Sequence, residues 1–374
     1  MNLNLNLNQP HQPDGTTPTL ELYGWNAYWQ QQCETHRHES GLVPARVTAQ
    51  YSHLYRIVAE DGERSAEVSG KFQYEAASRG DFPAVGDWVL VQPLAGEARS
   101  IIHAVLPRRS AMIRKAAGPS VHEQIIGANI DTLLVVCALN DDFNLRKIER
   151  YLIAAWDSGA SPVVLLTKAD LCEEVDARIA AVEAAAPGVP VHAVSALQGQ
   201  GIEQLAGYLK PGSTIAVTGS SGVGKSTLLN SLAGDERQRV QGIRESDARG
   251  RHTTTHRELF PIPSGAIMMD TPGMRELALW EAEDGLQEAF ADIEALAAEC
   301  RFRDCRHEGE AGCAVREAAD EGVLDAKRLA SYRKTSRELA HLARKENSAS
   351  KRQQKTASKR GAAPRARGPI AWEE

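Results

Sequence analysis

The chain has 374 residues, 42% of them hydrophobic, with 43 Lys and Arg against 49 Asp and Glu. That supplies ordinary globular cores for roughly two to three domains and excludes a wholly disordered or fibrous protein. The longest apolar runs, Leu133–Leu139 and Val163–Leu166, fall under half of the roughly 20 residues a bilayer span needs, so no membrane partner is expected.

The first residues, MNLNLNLNQPHQPDGTTPT, carry neither a basic start nor a continuous apolar segment. No secretory or targeting signal fits them, and residues 1–40 are expected to form a largely disordered leader. Short alternating runs follow at Ala45–Ala49, Leu54–Ala59, Ala66–Val68, Asp87–Val91 and Arg99–Val105, separated by turn pairs such as Asp61-Gly62 and Gly80-Asp81. Over residues 41–107 this predicts a small β-barrel of the oligonucleotide-binding (OB) type, with an SH3-like barrel as the alternative. Its Arg46, Tyr51, His53, Tyr55, Lys71, Phe72, Tyr74 and Arg79 are cations and rings of the kind that bind RNA, or equally packing and solvated residues.

A basic connector, Pro107-Arg108-Arg109 with Arg114-Lys115, leads into strand–helix alternation over residues 108–279. Strands are expected at Ile130–Leu139, Pro162–Leu166, Pro190–Val194, Thr214–Val217 and Ala266–Met269, and helices at Leu145–Ser158, Asp176–Ala186 and Ile202–Leu209. This is an α/β domain with a mostly parallel sheet. Residues 280–346 read as helical around a Cys/His cluster, ending in an alanine- and charge-rich helix near Asp325–Lys345. The tail, residues 347–374, is expected to be disordered and basic. Residues 344–367 alone carry a net +8 within a chain of net −6, so they fit a phosphate-binding arm or a solubilising tail.

Gly219-Ser220-Ser221-Gly222-Val223-Gly224-Lys225-Ser226 matches GxxxxGK[ST], follows a predicted strand and opens a helix through Thr227. The glycines let backbone N–H groups wrap phosphates, Lys225 can reach the β- and γ-phosphates, and Ser226 can ligate Mg²⁺. Asp270-Thr271-Pro272-Gly273 ends another strand 51 residues after Gly219. Its carboxylate can hold the magnesium, and the Gly273 N–H can sense a γ-phosphate. Between them, Arg249–His256 holds Thr254, able to join the metal shell, and reads as a nucleotide switch or a plain polar loop. Thr167-Lys168-Ala169-Asp170 ends a strand, and Asp170 can accept from guanine N1–H and its exocyclic amine, a donor pair adenine lacks. Thr167 stands where asparagine is more familiar and offers the base fewer hydrogen bonds. Ser195-Ala196 follows the next strand and is placed to give a backbone N–H to guanine O6.

Motif order is the informative part. Base-reading residues precede the phosphate loop, which precedes Asp270, the order of a circularly permuted nucleotide-binding domain. Downstream, Cys300-x₄-Cys305-x-His307-x₅-Cys313 offers three thiolates and an imidazole, a closed tetrahedral set for structural zinc in a reducing compartment. With RRSAMIRKAAG (108–118), EQIIGANIDTLLVV (123–136), GRHTTTHREL (250–259) and DTPGMREL (270–277), the sequence resembles the ribosome small-subunit-dependent GTPase A family of circularly permuted GTPases.

That resemblance implies an OB barrel, a permuted P-loop GTPase and a helical zinc domain. It implies GTP hydrolysis in the cytoplasm, stimulated by the small ribosomal subunit and coupled to late subunit maturation and release of assembly factors. The partners are then the small subunit, its 16S-type rRNA, GTP and GDP, and other assembly factors, with a monomer as the expected state. Met274 occupies the position where many GTPases use glutamine to orient water. By analogy within the family, His252 takes that task; contact with RNA or solvent is its alternative. A P-loop kinase or ATPase is disfavoured by Asp170, and a scaffold with a vestigial site by intact Lys225, Ser226 and Asp270.

Overall fold

The computed structural model describes residues 19–36, 41–51, 54–115, 123–140, 143–234, 257–270, 283–341 and 344. Five strands, β1 (Val43–Tyr51), β2 (Leu54–Ala59), β3 (Gly62–Val68), β4 (Trp88–Pro93) and β5 (Arg99–Val105), close into a barrel in the order β1-β2-β3-β5-β4, with β4 pairing back onto β1. All neighbours are antiparallel except β3 and β5. Alternation along each strand sends Ala45, Val47, Ile57, Val89, Val91 and Ile102 into one core. Closed, five-stranded and carrying the short helix α3 (Gly70–Glu75) between β3 and β4, the barrel fits the OB fold.

The expectation of a disordered leader does not hold for residues 19–36. Thr19–Leu22 and Ala27–His36 are helical (α1 and α2), with the Asn26 side chain accepting from the Tyr28 and Trp29 backbone N–H groups. Leu20, Trp29 and Cys33 pack against Trp88, Leu90 and Leu106 on the outside of the barrel. The apolar surface of two tryptophans, with Trp25 edge-on to Trp88 at 4.8 Å, overrides the polar run that precedes them.

A hairpin follows, β6 (Ala111–Lys115) with β7 (Glu123–Ala128), where the sequence suggested only a connector. The second sheet has β8 (Thr132–Ala138), β9 (Ser161–Thr167), β10 (Val191–Val194), β11 (Thr214–Thr218), β12 (Glu258–Pro261) and β13 (Ile267–Asp270), in the order β10-β9-β8-β11-β13-β12. It is parallel except for β12, as the alternation of helices α4 (Leu145–Asp157), α5 (Val175–Ala185) and α6 (Lys225–Ala233) with strands requires. Helix α4 starts where the Asn144 side chain accepts from Arg146 and Lys147 N–H, and buries Ile148, Leu152 and Ile153. The expected helix at Ile202–Leu209 is a 3₁₀ helix over Ile202–Gly207.

One antiparallel bridge, Ala49 to Glu258, joins barrel strand β1 to β12, so the two sheets are continuous. Arg46, expected among RNA contacts, is instead buried at this joint. Its guanidinium donates to Tyr23 O, to Gly86 O (3.3 Å) and to Thr214 Oγ1 (2.8 Å), and Trp88 lies beneath it. Tyr55 is also buried, His53 lies outside the described residues, and Tyr74 is 91% exposed.

Helices α7 (Glu283–Ala289), α8 (Ala291–Ala297), α9 (Ala314–Asp320) and a last helix over residues 326–341 (α10) form the third body, with Phe290, Ile293, Val315 and Leu329 in its core. Arg328 of α10 fastens it to the α/β domain. Its guanidinium donates to both oxygens of Asp292 (2.7 and 2.6 Å), to Ala289 O (2.9 Å) and to Ala185 O at the end of α5. It also lies 3.5 Å from the Glu149 carboxylate of α4.

Candidate functional site

In the parallel sheet, strands β9, β10, β11 and β13 all finish at one edge, where open α/β sheets bind ligands. There β11 ends at Thr218 and α6 begins at Lys225, leaving residues 219–224 as the loop between them. Gly219 has φ +143°, and a Cβ there would sit 2.2 Å from Val136 O, so only glycine lets the loop cross so close to β8. Lys225 Nζ donates to Gly219 O at 2.7 Å and to Ser220 O, lying back along the loop it would leave to reach phosphate oxygens. The loop's amides and the start of α6 supply the positive end that an anion requires.

Asp270 ends β13, which pairs with β11, and Ser226 lies in the first turn of α6, the helix that follows β11 through the phosphate loop. Hydroxyl and carboxylate oxygens are the hard donors that suit Mg²⁺. Thr254, His252 and Gly273 lie outside the described residues, as does Met274.

On the other side, Lys168 adopts φ +59° and turns the chain into the 3₁₀ helix Ala169–Leu171, which carries Asp170. Val194 pairs with Thr167, placing Ser195 and Ala196 beside this turn. Ser195 is fixed by backbone exchange with Gln200 at 2.9 and 3.1 Å. Thr167, expected at the base, ends β9 beneath the phosphate loop. It is buried, and its hydroxyl donates to Val223 O of the phosphate loop at 2.6 Å, with Cys137 O a further 3.3 Å neighbour. It braces the phosphate loop from below, a role that residue type alone did not reveal.

The Cys/His cluster is brought together as the spacing anticipated. Ligand atoms of Cys300, Cys305, His307 and Cys313 all lie within 4.8 Å of one another, with His307 Nδ1 3.6 Å from Cys300 Sγ and 3.4 Å from Cys313 Sγ. A tetrahedral ion with bonds of about 2.0–2.3 Å separates its ligands by about 3.5–3.8 Å, so the set fits a divalent metal with no open position. Burial, then the Cys313 and Cys300 sulfurs, push the Cys305 thiol up to about 11. Burial likewise lowers the His307 pKa, favouring the neutral imidazole that ligates, and the Arg333 charge acts in the same direction.

Sequence reasoning missed Glu310. Its carboxylate accepts from the backbone N–H groups of Arg306, Glu308 and Gly309 at 2.9–3.0 Å, and hydrogen bonds from this loop, Gly309 foremost, hold it down at about 2. This carboxylate shapes the turn in which His307 takes φ +58°.

Fold and site together define a P-loop GTPase whose base-reading end precedes its phosphate loop, set between an OB barrel and a helical module with a metal-binding cluster. The RsgA GTPase family model matches residues 105–280, and a model described as 50S ribosome-binding GTPase matches residues 214–347. A Lactiplantibacillus plantarum protein named small ribosomal subunit biogenesis GTPase RsgA 2 is 47% identical over 303 residues, 81% of this chain and 85% of its own. Its Syntrophotalea carbinolica counterpart is 45% identical over 331 residues, 86% and 90% of the two chains. Among solved structures, YjeQ from Thermotoga maritima superposes with TM-score 0.61 at 27% identity, over 80% of this chain and 99% of that one. YloQ, described as a circularly permuted GTPase, shares the fold with TM-score 0.58 at 24% identity, over 82% and 98%. The chain belongs to the RsgA GTPase family, and is a GTP-hydrolysing enzyme of ribosome biogenesis.

Proposed function

We propose that this GTPase binds the small ribosomal subunit through its 16S-type rRNA and couples GTP hydrolysis to late maturation and release of assembly factors. The observation that carries the reading is the attachment of both flanking bodies to the nucleotide domain: the barrel through β1–β12, the helical module through Arg328. Names of the relatives supply the substrate particle. The protein acts as a monomer in the cytoplasm, with RNA met by the exposed barrel face around Tyr74 and by the basic tail.

At the nucleotide, Asp170 selects guanine, Lys168 lies along the base, and Ser195 and Ala196 offer a backbone N–H to O6. Residues Gly219 to Thr227 hold the phosphates, with Lys225 neutralising the β- and γ-oxygens and Gly273 sensing the γ-phosphate. Ser226, Thr254 and Asp270 would hold magnesium, which would supply neutralisation of the charge on the β- and γ-phosphates. The Met274 thioether cannot orient water, and His252 takes that role. Structural zinc is held by Cys300, Cys305, His307 and Cys313.

Turnover of GTP and ATP, with and without purified small subunits, tests this reading. Subunit-stimulated hydrolysis confined to GTP is expected, and His252→Ala abolishes the stimulated rate while nucleotide affinity stays. Equal ATP turnover, or no response to subunits, overturns it. Removing residues 347–374 lowers the salt dependence of subunit binding if the tail contacts phosphate, and leaves it unaltered if the tail only solubilises.

A further inference from the structure

Helix α10 runs past the Cys/His cluster, and its contacts fix which face it turns there. The Tyr332 ring lies 6.0 Å from the His307 ring, and Arg337 pairs with Glu308 at 3.9 Å, one residue beyond His307. Arg333 stands next to the first and one turn before the second, so its side chain leaves the same face of the helix. Its Nε and Nη2 atoms are buried, and neither has a hydrogen-bond partner among the described residues.

Arg333 is half-buried, and two buried guanidinium nitrogens with idle donors are costly unless something supplies an acceptor and counter-charge. The acids nearby are committed elsewhere. Asp292 accepts two bonds from Arg328, Glu294 accepts from the Tyr332 hydroxyl at 2.8 Å, and Glu308 pairs with Arg337. Glu310 is held by the backbone of its own turn. The Arg333 charge bears on His307, whose cluster brings three cysteine sulfurs with it. Neutral thiols are weak acceptors, whereas three thiolates around a divalent ion carry one net negative charge, the complement of a single arginine.

Resting on the reading that the cluster holds zinc, we propose that Arg333 is the outer-shell partner of this centre. In the loaded protein its Nε–H and Nη2–H groups donate to cysteine thiolate sulfur, and its charge offsets the net charge of the site. Arg333 thus tunes metal retention and thiolate reactivity without ligating the ion. Such partners raise affinity by orienting and stabilising the ligands.

The test uses the full chain loaded with Zn²⁺ or Co²⁺, comparing wild type with Arg333→Met, Arg333→Lys and Arg337→Met. Arg333→Met is expected to weaken metal affinity by about 10–100-fold in chelator competition. It should also shift the thiolate-to-cobalt charge-transfer band and speed alkylation of the loaded cysteines. Arg333→Lys keeps the charge but loses the fork, giving a smaller affinity loss with the band still shifted; Arg337→Met leaves both unaltered. Wild-type affinity and an unshifted band in Arg333→Met overturn the proposal, and wild-type metal behaviour with weakened binding to small subunits reassigns Arg333 to RNA phosphate. Should Arg333→Met fail to fold, the Arg333→Lys band decides, an unshifted band being the refuting result. Failure of the wild-type chain to bind Zn²⁺ or Co²⁺ at all would instead remove the zinc reading beneath it.

Discussion

Thr167→Val isolates the brace under the phosphate loop. The substitution keeps side-chain shape but deletes the hydroxyl that donates to Val223 O at 2.6 Å, inside a pocket where Thr167 is 2% exposed. One buried hydrogen bond is worth about 1 kcal/mol net, and stranding its carbonyl acceptor costs about 1–3 kcal/mol. The mutant loop can relieve that cost by tilting the Val223 peptide toward solvent, which displaces the neighbouring amides from their phosphate-binding positions. Nucleotide affinity is therefore expected to fall by about 1–2 kcal/mol, a factor of about 5–30. Because the lost contact lies beneath phosphates, GTP and GDP should weaken together, and the preference for guanine over hypoxanthine nucleotides should be unchanged. Titration with fluorescent GDP and GTP, competed by IDP and ITP, measures both quantities, with Thr167→Ser as the variant that restores the hydroxyl. A changed guanine-to-hypoxanthine ratio at unaltered overall affinity would refute the brace and return Thr167 to the base.

Four other outcomes are expected. Asp170→Asn replaces one acceptor oxygen by a donor amide, so binding should shift from guanine toward xanthine nucleotides, whose C2 carbonyl accepts that amide; competition by XDP reads it out. Arg328→Met strands Glu149 and Asp292 at the joint with α4 and should cost about 3–5 kcal/mol in urea unfolding. Although partial burial opposes it, hydrogen bonding from Arg328 holds Asp292 below the ordinary carboxylate range. Its contribution is therefore present above about pH 4 and lost as pH falls through the lower folded value, and Asp292→Asn should flatten the acid limb of a stability–pH profile. Stripping metal with chelator at neutral pH should unfold the α7–α10 module, seen as lost far-ultraviolet helix signal, while GDP binding persists.

Local signals carried much of the nucleotide site. The runs at β8, β9 and β11 are buried on both faces, so their continuous Val, Leu and Ile stretches end where the candidate binding residues begin. The strand β12, Glu-Leu-Phe-Pro, lacked that signature because it is four residues long, antiparallel, and met by the barrel through a single bridge. Arg46 misled for a different reason. It alternates with Ala45 and Val47, whose side chains enter the barrel core, so it points outward, and outward from an isolated barrel means solvent. Here the outward face is covered by the Tyr23 segment and the start of β11, a long-range fact that alternation within one strand cannot encode.

The permuted order gives the stretches before Glu258 and after Asp270 unusual neighbours along the chain. The residues after Asp270 lead along the chain into α7 and the metal-binding module rather than into the next strand of the sheet, which the barrel side supplies as β8. The residues before Glu258, including His252 and Thr254, lead into β12, which meets the barrel through the Ala49 bridge and the Arg56–Glu258 pair at 3.0 Å. Glu258 of β12 thus faces Asp270 of β13 on one side and Ala49 of the barrel on the other. Arg56 is 40% exposed, so the pair itself contributes at most about 1 kcal/mol to stability. Its consequence is geometric: a force on the barrel reaches β12 through two adjacent contacts. Arg56→Ala with Glu258→Ala in a double-mutant cycle should then show little coupling in unfolding free energy and a larger coupling in subunit-stimulated GTP hydrolysis. Equal coupling in both measurements would make the pair a fastener and nothing more.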